Sequence, residues 1–172
     1  LSVANVRSAS GAANYFANDN YYSKDDADRS GQWFGKGAEA LGLTGLVDAK
    51  VFDRLLKGEL PDGIRVGRED HHRAGTDLTF SMPKSWSILA LVGGDKRISE
   101  AYREAVIETL QWAEQHAAET RLVQNGKLRT VATGNLTVAL FQHDTNRNQE
   151  PNLHFHAVVA NATKGADGKW RT

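Results

Sequence analysis

The chain has 172 residues, 40% hydrophobic and 24% charged, an ordinary globular mixture that supports one sizeable core and excludes disordered and fibrous classes. Lysine plus arginine and aspartate plus glutamate number 21 each, so the net charge is zero, which excludes a polycation that grips nucleic acid by bulk electrostatics. There is no cysteine, so disulfides and thiolate ligation are excluded and metal chemistry falls to His, Asp and Glu.

No apolar run approaches the roughly 18 residues of a membrane span, and the polar stretch after Leu1 has no basic-then-apolar leader pattern. The reading is a cytoplasmic chain without membrane insertion. It starts without Met, and Gly168 to Thr172 resembles the start of a further strand, so residues 1–172 read as one domain that is C-terminally incomplete.

In chain order, Ser2 to Arg7 alternates and predicts a short strand, Ser8 to Phe16 is Ala-rich and helix-compatible, and Asn18 to Asp28 reads as loop. A helical pattern runs from Ser30 to Leu41 and stops at Gly42. Asp48 is a natural N-cap for a helix with Val51, Phe52, Leu55 and Leu56 on one face, stopped by Gly58. Residues 60–76, rich in Gly and mixed charge, read as a long loop.

Asp77 to Met82 alternates strictly and is ended by Pro83, a strand with one polar and one apolar face. A short apolar helix follows over Ser85 to Leu91. The longest helix is predicted from Ser99 to Thr120, with Tyr102, Val106, Leu110, Ala113 and Ala117 recurring at helical spacing. A hairpin around Asn125-Gly126 precedes two strands, Asn135 to His143 and Leu153 to Asn161. Strands on both sides of a block of helices predict an α+β fold: a central antiparallel sheet with helices mainly on one face.

Of the six histidines, His71 and His72 lie in a charged loop, where solvated positions are the plain expectation, and His116 falls on the long helix, where a surface or half-buried position is expected. His154-Phe155-His156 differs, because strand side chains two apart share a face and the run sets two imidazoles side by side. If the last two strands pair antiparallel with an odd register sum, His143 joins them. The same parity sends Leu136, Val138, Leu140, Phe155, Ala157 and Val159 to the opposite, helix-facing side, so the core pattern and a three-imidazole site demand one register. An isolated H-x-H can be mere polar alternation; the third histidine at matching parity favours a metal site. Zn, Mn, Fe, Ni or Cu suits three neutral imidazoles, whereas Mg needs phosphate and water to complete its shell. A ligating His usually donates its other ring N–H to a carboxylate or carbonyl, and Asp77 is the best candidate, on a polar face with Thr79 and Ser81; Asp144 and Glu150 sit in a turn.

Three of the four tyrosines, Tyr15, Tyr21 and Tyr22, crowd together among Asn and Asp. Taken alone they read as a core patch, with a base-stacking surface or a set of nucleophiles as alternatives. A phenol ionises near pH 10, so it attacks phosphorus only where something stabilises the phenolate and polarises the phosphate. A trihistidine metal site supplies that, and the two features explain each other.

Three ordered blocks carry a resemblance: Leu1 to Ala9 with Asn14-Tyr15 and Asn20-Tyr21-Tyr22; Asp77 to Ser85; and His143-Asp144-Thr145 with Pro151 to Ala157. They resemble the trihistidine (HUH-type) relaxases of conjugative plasmids, the MobF class, and within it the nickase-helicases of N-type plasmids, over the whole chain. The resemblance implies a palm-like antiparallel sheet and a site-specific single-stranded DNA nickase acting at a transfer origin. It implies Tyr15 as the nucleophile that forms a 5′-phosphotyrosine bond, and His143, His154 and His156 as ligands of a divalent metal (Mg, Mn or Zn). It implies Asp77 as the acidic residue that orients a metal histidine and aids loss of the tyrosine proton. The family often has Tyr-Tyr at the first position, where this chain has Tyr15-Phe16, so a second transesterification falls to Tyr21 or Tyr22. Arg7, Lys84 and Arg147 are the local basic groups that meet the phosphates. Accessory relaxosome and coupling proteins are the partners implied; the helicase region of full-length members is absent. Two alternatives are a non-catalytic fragment that only binds single-stranded DNA and an unrelated trihistidine enzyme acting on a small molecule.

Overall fold

A computed structural model describes residues 1–6, 31–68 and 73–172. The elements in chain order are β1 (Ser2–Val6), β2 (Gln32–Phe34), α1 (Lys36–Ala40), α2 (Ala49–Leu56), β3 (Gly75–Ser81), α3 (Lys84–Leu91) and α4 (Lys96–Ala117). There follow β4 (Glu119–Gln124), β5 (Lys127–Ala132), β6 (Val138–Thr145), β7 (Pro151–Ala160), β8 (Thr163–Lys164) and β9 (Trp170–Arg171). Five strands form one antiparallel sheet in the order β1-β3-β7-β6-β2, while β4-β5 and β8-β9 are separate two-stranded ribbons. The α+β architecture with a central antiparallel sheet is the one the sequence predicts.

Strand alternation divides the sheet residues between two cores. On one face Phe80, Val138, Leu140, Phe155 and Ala157 pack against Val106 and Leu110 of the long helix α4, and α3 lies over β7 on that side. Complete burial of Phe155 contributes about 1.5–3 kcal/mol on transfer grounds. On the other face Val6, Ala139, Phe141 and Val158 meet Phe52 and Leu56 of α2, with Phe52 and Phe141 ring centroids 5.5 Å apart. The second face is thus covered by α2 at one end and bears the histidines at the other.

Several local devices match their sequence signals. The Asp48 carboxylate accepts from Lys50 N and Val51 N at 2.8 and 2.9 Å, and α2 stops before Gly58. Asn125 and Gly126, at φ 52° and 73°, form a two-residue turn joining Gln124 to Lys127, the geometry that hairpins favour. Trp170–Arg171 pairs with Thr163–Lys164, consistent with strand character near the C-terminus.

The expected helix from Ser30 to Leu41 is corrected within the described residues: Gln32–Phe34 is strand β2, and helix α1 begins only at Lys36. Trp33 packs with Phe52 on the α2 side and Phe34 joins the α4 cluster, and only an extended backbone sends adjacent side chains to opposite faces. Strand β3 already starts at Gly75, inside the expected 60–76 loop, and β6 starts at Val138 rather than Asn135.

The stripe Tyr102, Val106, Leu110 on α4 continues into Glu114, which is 4% exposed. Its Oε1 accepts from Lys36 N at 2.8 Å and Leu136 N at 2.9 Å, tying α1 and the entry to β6 onto the helix. Gly35, at φ 100°, makes this junction; a Cβ there would lie 2.3 Å from the Leu136 carbonyl oxygen.

Candidate metal centre

The β6–β7 register sum is odd, with His143 directly opposite His154 and Phe141 opposite His156. All three imidazoles therefore project from one face, next to the apolar Phe141 and Val158. The ring centroids are 5.1 to 5.2 Å apart, and one nitrogen from each ring lies within 4.8 Å of the others. His143, His154 and His156 as residues are 3%, 9% and 8% exposed, and all three line one cavity. A β-bulge after His143 shifts the register before Thr145 pairs with Pro151.

Strand β3 supplies the orienting group. Thr79 faces His156 and Ser81 faces His154 across the β3–β7 ladder, so Asp77, Thr79 and Ser81 share the histidine face. The His156 Nδ1–H donates to Asp77 Oδ2 at 2.8 Å, and the Thr79 hydroxyl lies 3.3 Å from both Asp77 Oδ2 and His156 Nδ1. His154 Nδ1 donates to the Asn152 carbonyl at 2.8 Å. Carboxylates and carbonyls only accept, so both rings carry their proton on Nδ1 and keep the Nε2 lone pair for a ligand. Asp77 Oδ1 is buried with no hydrogen-bond partner among the described residues.

Three imidazoles, two of them fixed by backbone or carboxylate acceptors, form a donor set that fits a divalent transition metal with open positions. The rings face a polar cavity of about 520 Å³, whose lining includes Thr79, Ser81, Arg147 and Asn152. At its rim the loop between β6 and β7 is folded on Asn146, whose Oδ1 accepts from Asn148 N and Glu150 N. Lys84 Nζ donates to Glu150 Oε2 at 2.6 Å, and this bond, with one from Asn146, holds the Glu150 carboxyl below the usual carboxylate range.

The structure brings together His143, His154, His156 and Asp77, with Arg147 on the same cavity, while Lys84 is outside its lining and paired to Glu150, which accepts from the lining residue Asn146. Tyr15, Tyr21, Tyr22 and Arg7 lie outside the described residues, as do His71 and His72. His116 is exposed and stacked on Trp112, the plain position expected of it. The Asn152 carbonyl escaped the sequence reading because a backbone acceptor carries no residue signature. Glu114 escaped because a carboxylate in an apolar stripe reads as a surface residue.

The match to known proteins decides the family: residues 9–172 match the TrwC relaxase family. The chain belongs to that family. The multifunctional conjugation protein TraI of Escherichia coli (strain K12) is 50% identical over 177 residues, covering all of this chain and 10% of TraI. Among solved structures, the conjugative relaxase TrwC in complex with oriT DNA is 42% identical with a TM-score of 0.86, covering 99% of this chain and 59% of that one. A metal-bound TrwC complex with oriT DNA is 41% identical with a TM-score of 0.85, covering 99% of this chain and 61% of that one. This TrwC-family chain therefore spans about a tenth of its curated relatives and about three-fifths of its solved ones. No helix among the described residues is long and apolar enough to cross a membrane.

Proposed function

We propose that this chain is the catalytic part of a relaxase that cuts and rejoins one DNA strand at a plasmid transfer origin. The observation that carries the reading is the orienting pair, Asp77 on His156, beneath a three-imidazole group that opens on a polar cavity, in a chain of the TrwC relaxase family. The ligands are His143, His154 and His156. When bound, a divalent ion there, with Mg, Mn and Zn as the candidates, polarises the scissile phosphate and neutralises charge as it develops.

The Tyr15 hydroxyl attacks phosphorus, a P–O bond forms to the tyrosine oxygen, and the P–O3′ bond breaks. The tyrosine proton leaves to Asp77 or water, and the departing oxygen takes a proton to become a 3′ hydroxyl. The 5′-phosphotyrosine keeps the phosphoester, so the reverse attack rejoins the strand. Tyr21 or Tyr22 performs a second transfer, since Phe16 has no hydroxyl. Arg7, Lys84 and Arg147 contact phosphates around the cavity. The chain acts in the cytoplasm with accessory relaxosome and coupling proteins, as the catalytic portion of a longer relaxase unit like those of its solved relatives.

The test is incubation with a single-stranded origin oligonucleotide and metal, followed by mass analysis of tyrosine peptides. The expected result is a DNA adduct on the Tyr15 peptide, lost in Tyr15→Phe while oligonucleotide binding is kept. An undiminished adduct in Tyr15→Phe overturns the assignment, and DNA binding without any cut product overturns catalysis.

A further inference from the structure

Ser87 lies on α3, on the opposite side of the sheet from the histidines, and is fully buried. Its hydroxyl donates to the Pro83 carbonyl at 3.3 Å and accepts from Leu153 N at 3.1 Å. The second contact replaces a ladder bond. Strand β3 ends at Ser81, Met82 N–H donates to the Leu153 carbonyl at 3.0 Å, and the next residue, Pro83, leaves the strand as the chain turns into α3. Leu153 N–H would otherwise face the sheet where its neighbour has stopped.

That N–H belongs to the same peptide unit as the Asn152 carbonyl, which accepts the His154 Nδ1–H at 2.8 Å. One rigid plane therefore has Ser87 on its donor side and a ring of the trihistidine group on its acceptor side. Hydrogen bonds in such a series polarise each other, so a carbonyl whose own peptide N–H is engaged is a better acceptor. The chain runs from Pro83 O through the Ser87 hydroxyl and the 152–153 peptide to the His154 ring. We infer that Ser87 is a positioning residue for His154: it fixes the plane and strengthens the acceptor that set the ring's angle and keep its proton on Nδ1. The inference rests on the metal reading of the three histidines.

The 172-residue chain is titrated with cobalt(II) alone, followed by its visible spectrum, as wild type, Ser87→Ala and Ala90→Gly. Ala90 is the other buried residue of the same helix and its methyl group makes no hydrogen bond, so its variant supplies a destabilised control that leaves the Ser87 bonds in place. The expected result is about 10-fold weaker cobalt binding in Ser87→Ala, the low end for loss of a group supporting a ligand, with Ala90→Gly binding as wild type does. In the metal-free protein, the ring-nitrogen NMR shifts of His154 are expected to show the Nδ1-protonated tautomer in wild type and a mixture in Ser87→Ala. Equal cobalt affinity in Ser87→Ala and wild type, or the same loss in Ala90→Gly, overturns the role. If wild type takes up no cobalt the metal reading fails, and an unchanged tautomer then overturns the Ser87 inference on its own.

Discussion

Asp77 and His156 stand 79 positions apart in sequence yet meet at 2.8 Å, Oδ2 to Nδ1, because β3 and β7 are antiparallel neighbours and the two side chains share one face. The pair is largely buried, at 14% and 10% side-chain exposure, so the hydrogen bond has little competition from water. Asp77→Asn keeps the size of the side chain but replaces an acceptor-only carboxylate with an amide that also donates. The expected outcome is a 10- to 100-fold (about 1.4–2.7 kcal/mol) loss of metal affinity with little change in fold, as for other groups that support a ligating histidine. Isothermal titration of Asp77→Asn with Zn(II) or Mn(II) checks it; unchanged affinity would mean that the carboxylate does not set the ring.

The Lys84–Glu150 pair is tied to the cavity loop through the bond from Asn146 to Glu150. Both side chains are about half exposed, so the pair adds little stability, but it holds one cation beside the loop between β6 and β7. Glu150→Gln is expected to release Lys84 and, if DNA phosphates meet this loop, to tighten single-stranded DNA binding and steepen log Kd against log salt by about 0.7. Because the Glu150 carboxyl is held below its ordinary value, the pair persists from neutral pH down through the usual carboxylate range and is lost only as pH falls through the lowered value. The difference in salt slope between Glu150→Gln and wild type should therefore persist at pH 5, measured by fluorescence anisotropy.

How much of this was legible beforehand depended on whether a side chain's address follows from local periodicity. The three histidines were legible because strand parity is all-or-none: a register that buried Phe155 and Ala157 had to collect His143, His154 and His156 on the other face. Asp77 followed from the same alternation. Strand β2 was not legible, since Gln32-Trp33-Phe34 is too short to show a period and its conformation is set by two cores that form only on folding. Neither were Ser87 and Asn152, whose roles run through a single peptide unit, nor Glu114, whose burial depends on two amides from distant segments.

Glu114 gives a stability prediction. Its one oxygen satisfies two backbone amides, and truncation leaves both without that acceptor inside the protein. Glu114→Ala is expected to destabilise the fold by about 2–4 kcal/mol, as unsatisfied buried donors cost about 1–3 kcal/mol each and some rehydration offsets them. Urea denaturation followed by circular dichroism reads this directly. Glu114→Gln keeps an acceptor oxygen at the same reach and should lose less than half as much.

Tyr102 contributes to the alkaline limit. It packs on Phe155 with ring centroids 5.7 Å apart, and burial pushes its phenol up to about 12 from an ordinary 10. A group whose folded value is raised keeps its proton longer in the folded state, so its contribution is intact below pH 10 and is lost as pH rises from 10 toward 12. Tyr102→Phe removes that titration and should flatten the fall in melting temperature over this range. Ultraviolet titration should show one tyrosine fewer ionising at the highest pH, and an unaltered alkaline limb would contradict the assignment.

Metal loading should register as stability as well as chemistry. The trihistidine group is assembled from β6 and β7, adjacent strands inside the sheet, so an ion held by all three rings binds the folded chain and not the unfolded one. At a free metal concentration 100 times Kd the gain is about 2.7 kcal/mol. For a domain of this length that corresponds to a rise in melting temperature of about 5–11 °C, from roughly 2–4 °C per kcal/mol. Calorimetric melting with Zn(II) or Mn(II), with and without chelator, measures it. His143→Ala takes one ligand from the strand that faces the other two, so its melting temperature should be nearly insensitive to the ion. A full metal-induced rise in His143→Ala would show that the stabilising ion binds elsewhere, and the three-imidazole site would then have to be abandoned.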